Sequence, residues 1–130
     1  MPTVDGPSAL PHRFAPGVLV VERQQRRWEA ALKRQLAETH YVRPCKTLSD
    51  VREQLALRPG SVVVLDVTAA EQGQALAYCI ESRRAGAILG IAGQIATEDE
   101  CALREAGVTS LFLEPVNEEV IAEQCQRFLK

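Results

Sequence analysis

The run Ser61-Val62-Val63-Val64-Leu65-Asp66 constrains this fold more than any other segment. Four consecutive apolar residues lead into a single carboxylate. Three of them are β-branched, which suits a pleated, buried strand. A strand apolar on both faces belongs in a parallel sheet covered by helices on each side. Such sheets bind ligands beyond the carboxyl ends of their strands, where Asp66 falls.

The rest of the chain alternates strand and helix signals. Gly17–Val21 is a short apolar run closed by Glu22. Residues 24–38 place Trp28, Leu32 and Leu36 at helical spacing. Residues 40–44 form a weak strand suited to a sheet edge. Thr47–Leu57 reads as a helix with Leu48, Val51 and Leu55 on one face and a Thr47–Asp50 capping signal. Gln74–Arg84 follows with Leu76, Cys79 and Ile80 inward and Gly86 as its C-cap. Ala87–Ala92 is a fourth strand. Thr97-Glu98-Asp99-Glu100 has capping-box spacing and opens a helix ending at Gly107. Ser110–Leu113 is a fifth strand. Asn117 caps a last helix with Val120, Ile121, Cys125, Phe128 and Leu129 as its buried stripe. Five βα units with helical crossovers predict a flavodoxin-like α/β/α sandwich, its parallel sheet in the order 2-1-3-4-5.

The 130 residues suit one domain, and 46% are hydrophobic, enough for a real core. Residues 1–16 hold four prolines and read as a flexible N-terminal arm, leaving 17–130 as the folded domain. A net charge of −2 supplies no basic field for nucleic acid or anionic membrane. Arg26-Arg27 and Arg83-Arg84 read as solvated pairs. No apolar run approaches the roughly 20 residues of a membrane span, and no leader pattern is present, so the expected location is cytoplasmic. Cys45, Cys79, Cys101 and Cys125 are widely spaced and read as reduced, small hydrophobes rather than zinc ligands or a redox pair. No glycine-rich phosphate loop occurs.

The stretch Ala102–Val116, A-L-R-E-A-G-V-T-S-L-F-L-E-P-V, resembles the run around the fifth strand of receiver domains in bacterial two-component response regulators. The order of elements and Asp66 agree with it over roughly residues 17–130. The resemblance implies phosphoryl transfer to an aspartate. Two acidic residues after the first strand would help hold Mg²⁺, a hydroxyl would end the fourth strand, and a lysine would precede the proline after the fifth. Here Asp66 takes the phosphoacceptor position and Glu22 the first acidic position. Arg23 takes the second with its charge reversed. Ala92 replaces the hydroxyl, and Glu114 replaces the lysine with its charge reversed. A phosphoryl group carries nearly two negative charges, so Glu114 would repel it and Arg23 would oppose a metal. The loop Asp66–Gly73 also lacks the family's proline.

The resemblance therefore implies a degenerate, or pseudo-receiver, form with no cofactor and no metal. Under an alternative reading, Asp66 is still phosphorylated in a phosphorelay, with Mg²⁺ held by Glu22 and Asp66. In one account of the charges, Arg23 pairs with Asp66 or Glu114. In the other, Asp66 accepts loop N–H groups and Glu114 is solvated. The expected function is that of a stand-alone, response-regulator-like signalling protein that is not an enzyme. It would act on a protein partner, or as a homodimer, through the last helix–strand–helix face around Leu103, Leu111, Phe112 and Ile121. A flavodoxin-like enzyme of another class has less support, because no histidine or nucleophilic cysteine falls at the carboxyl edge and aromatic residues make up only 5%.

Overall fold

The computed structural model describes residues 14–22, 27–67 and 72–129. Ten elements alternate: β1 (Val18–Val21), α1 (Arg27–Leu36), β2 (Val42–Pro44), α2 (Leu48–Leu57), β3 (Val62–Asp66), α3 (Gln72–Glu81), β4 (Ala87–Ala92), α4 (Thr97–Glu105), β5 (Ser110–Leu113) and α5 (Glu118–Leu129). Every strand pair is parallel and the order is β2-β1-β3-β4-β5, the flavodoxin-like arrangement expected from the alternation.

The double-faced burial of β3 follows from its period of two. Val62 and Val64 enter a core with Trp28, Leu32 and Leu36 of α1 and Ile121 and Cys125 of α5. Val63 and Leu65 enter the other core, with Val51 and Leu55 of α2, Cys79 of α3 and Leu103 of α4. α1 and α5 thus cover one face, and α2, α3 and α4 the other. All four residues of β1 are buried as well, because β1 and β3 are neighbours at the centre. β2 has only three residues and carries Pro44, as an edge strand can.

Local chemistry explains several ends. Thr47 caps α2, its side-chain oxygen accepting from the Asp50 N–H at 3.0 Å. Asn117 Oδ1 accepts from the Glu119 N–H at 2.8 Å and opens α5. Thr97 does not cap α4. The N-cap is Ala96, in extended geometry and without a side-chain bond, so Thr97 is already the first helical residue. Gly86 is not a helix cap either. α3 ends at Glu81, and Gly86 lies where a Cβ would stand 2.5 Å from the Gly60 carbonyl oxygen. Its N–H donates to the Ser61 carbonyl at 2.9 Å.

Two apolar assignments shift. Ile80 and Val120, expected inward, are exposed, whereas their neighbours Cys79 and Ile121 are fully buried. Each inward stripe is narrower than the sequence pattern implied, so the adjacent position turns out by one helical step. The chain just before β1 is tied down. The Phe14 N–H donates to the Leu57 carbonyl at 2.7 Å, and Arg58 lies against the rings of Phe14 and Tyr41 while donating to the Ala15 carbonyl. These contacts involve residues 14 and 15 of the expected arm, and residues 1–13 lie outside the described residues.

Candidate functional site at the carboxyl edge

Parallel register gathers the candidate residues at one end of the sheet. Leu65 pairs with Val21, so Asp66 and Glu22 leave neighbouring strands side by side. Asp66 pairs with Ile91, and Ala92 pairs with Leu113, which brings Ala92 and Glu114 to the same edge. Asp66, Glu22, Ala92 and Glu114 are thus together where the sequence placed them. Arg23 and its proposed pairing lie outside the described residues.

Glu22 has a different task from the one its position suggested. Its Oε1 accepts from the Trp28 N–H at 3.0 Å and its Oε2 from the Glu29 N–H at 2.8 Å. Both oxygens serve the first turn of α1, whose N–H groups lack intrahelical partners and whose dipole favours a negative charge. Burial pushes the Glu22 carboxyl above its ordinary value; the two N–H groups oppose that, and the charges of Asp66 and Glu29 add to it.

Glu114 is paired within the chain. Arg27 Nη1 donates to Glu114 Oε2, and Glu114 Oε1 accepts from the Val116 N–H at 3.3 Å. Arg27 Nε also lies 3.6 Å from Glu118 Oε2, and Arg34 reaches the same carboxylate at 3.5 Å. The Arg27 guanidinium sits 4.4 Å from the centre of the Trp28 ring. Its pKa is raised, chiefly by the bond to Glu114. The reversed charge of Glu114 is therefore met by Arg27, a residue the sequence reading had not paired with it. Sequence reasoning missed Arg27 by grouping it with Arg26 as solvated. A signal was available: a cation in the first turn of a helix opposes the dipole unless a carboxylate meets it.

Ala92 is buried and contributes only its carbonyl, which accepts from the Glu114 N–H at 2.7 Å. Glu22 faces α1, Glu114 faces Arg27, and among the described residues no three His, Cys, Asp or Glu side chains are grouped to hold a metal. Beside Glu22 a cavity of about 480 Å³ is lined by Val21, Cys45, Lys46, Leu48, Gln74 and Tyr78 among others. Burial pushes the Cys45 thiol in its wall up to about 12.

The expected interaction face needs correction. Leu103 and Ile121 are fully buried in the two opposite cores and present nothing to a partner. Leu111 and Phe112 are half-buried, packed towards opposite sides of the sheet by strand alternation. The exposed large apolar residues of α4, β5 and α5 are Leu113, 54% exposed, and Val120, 37% exposed.

Solved structures, response regulators among them, share this fold. A response regulator from Thermotoga maritima matches with a TM-score of 0.69 at 17% identity, over 89% of this chain and 98% of that one. A response regulator receiver protein from Pseudomonas putida gives 0.67 at 20% identity, over 88% and 98%. A pilus assembly-related protein from Burkholderia pseudomallei gives 0.62 at 16% identity, over 94% and 95%. No protein-family model matches the sequence, and no curated protein matches it. The likeness is one of fold, and among the described residues no helix is long and apolar enough to cross a membrane.

Proposed function

We propose that this chain is a receiver-type signalling module that is not conventionally phosphorylated and acts by binding a protein partner. The observation that carries this reading is the Arg27–Glu114 ion pair. It places a carboxylate where a receiver needs a cation and neutralises it from within the chain. Glu22 supports the same reading, because a carboxylate bonded to two helix N–H groups is a poor ligand for a metal. A phosphoryl group arriving at Asp66 would find a carboxylate at Glu114, the cation Arg27 already paired with it, and no hydroxyl at Ala92. The module would then rest in one state. Its partner, or a second copy, would meet the α4–β5–α5 face at Leu113 and Val120.

The test is exposure of the full chain to Mg²⁺ with beryllofluoride, followed by amide NMR, and to acetyl phosphate, followed by intact mass. Unchanged amides around Glu22 and Asp66 and an unchanged mass are expected. A stoichiometric adduct that disappears in Asp66→Asn would establish the active phosphorelay reading instead. That reading draws on one feature: Asp66 keeps its place at the end of β3 and is only half-buried.

A further inference from the structure

We propose that the groove between α2 and α3 docks an acidic segment of a partner protein that carries a large aliphatic residue. The groove encloses about 400 Å³ and is lined by Arg52, Leu55 and Ala56 from α2, Ile80 and Glu81 from α3, and Arg83 and Arg84 from the turn that follows. It lies away from the carboxyl-edge site and does not depend on that site's charge state.

Three observations combine. Ile80 is 57% exposed, the most exposed large apolar side chain among the described residues, and it stands in a concavity rather than on a convex surface. Single exposed aliphatics are ordinary, but one set in a groove with cations around it has the make-up of an interface. Second, the groove is braced. Arg52 donates through Nε and Nη2 to the two oxygens of Glu81, both at 3.1 Å, tying α2 to α3 in fork geometry. A partner therefore meets walls already held in place, and less ordering is lost on binding. Third, the charge is unbalanced. Three arginines face Glu81, with Glu53 beside Arg52 as the other nearby acid. Arg83 and Arg84 are exposed, and no ion pair within 4 Å engages them among the described residues. This is a local cationic excess in a chain of net charge −2.

These features define the occupant. Carboxylates would meet Arg83 and Arg84, and an aliphatic side chain would cover Ile80 and Leu55. Complementary charge of this kind selects partners and speeds encounter. Nucleic acid suits the groove less well, since Glu81 stands in its wall and no aromatic ring lines it for base stacking.

The test is a random peptide display library selected on the full-length chain. Enriched peptides should carry aspartate or glutamate beside leucine, isoleucine or valine. Their affinity should drop about tenfold or more in Ile80→Glu, and equally in Arg83→Glu with Arg84→Glu, as for truncation of a central contact. Gln35→Glu, on the exposed side of α1, should leave it unchanged. Lysine-substituted peptides should regain binding to the double arginine variant. All these positions are exposed, and amide NMR spectra verify that each variant stays folded. Enrichment of neutral or basic peptides, shifts confined to α4, β5 and α5, indifference to both groove variants, or occupation of the groove by a second copy or by an oligonucleotide would each overturn the proposal.

Discussion

Glu22 shows how an acid that leaves its strand beside Asp66 can be committed to a helix. In the sequence it reads as an acid beside Asp66. In the structure both its oxygens close the first turn of α1. Replacing it with alanine should destabilise the chain by about 1–2 kcal/mol, the range for a lost helix cap with two unsatisfied N–H groups, measured by urea unfolding. Its titration has a definite sign. The folded carboxyl binds its proton more tightly than the ordinary value of 4.5, so just above that value the folded state holds more proton than the unfolded state. Its own contribution to stability therefore falls as pH rises through that window and is level above the raised value. Glu81, lowered by its bond to Arg52, works in the opposite direction from the surface. A side-chain ¹³C titration isolates Glu22, and its midpoint should lie above 4.5. Asp66→Asn should bring it part of the way down, because burial is the larger cause and the Asp66 charge a smaller one. A midpoint indifferent to Asp66→Asn would mean that the two carboxylates do not face one another.

At the scale of elements, β1 and β3 were legible because burial on two faces leaves a run of β-branched residues that no amphipathic helix would carry. The α2 cap was legible too, since Thr47 and Asp50 hold the right spacing. The same spacing misled at Thr97, where the backbone enters the helix one residue earlier and the hydroxyl has no cap to make. Glycines were the least legible, because their reason lies in contacts distant along the chain. Gly86 and Gly90 make the contrast testable. A Cβ on Gly86 would stand 2.5 Å from the Gly60 carbonyl, a backbone atom that cannot move alone. A Cβ on Gly90 would meet Leu111 Cδ1 at 2.9 Å, the end of a flexible side chain. Gly86→Ala should cost about 1–3 kcal/mol, the usual range for overpacking, and Gly90→Ala under about 1 kcal/mol. Thermal unfolding of the two variants side by side ranks them. A more damaging Gly90→Ala would show that the β4–β5 packing, and not the turn into β4, is the tighter constraint.

Across the whole molecule, most of the candidate site was legible as positions and little of it as partnerships. Strand order alone brings Glu22, Asp66, Ala92 and Glu114 to one edge, so a correct topology suffices to collect them. Glu22 and Glu114 take partners from α1, whose docking depends on Trp28, Leu32 and Leu36 filling the core against α5. Arg27 and Arg34 then face Glu114 and Glu118, and the network joins α1 to the β5–α5 segment. These charges refine a contact that apolar burial has already made. The Arg27 and Glu114 side chains are 39% and 23% exposed, so solvent screens their attraction. A double-mutant cycle with Arg27→Ala and Glu114→Ala should give a coupling of about 0.5–1 kcal/mol at low salt, in the range of exposed pairs. At about 1 M salt, where the Debye length falls to roughly 3 Å, most of it should disappear. A coupling several times larger and insensitive to salt would identify the pair as a principal tie between the two halves of the sheet edge. A coupling near zero at every salt would return Glu114 to the solvent and remove the main support for a site neutralised from within.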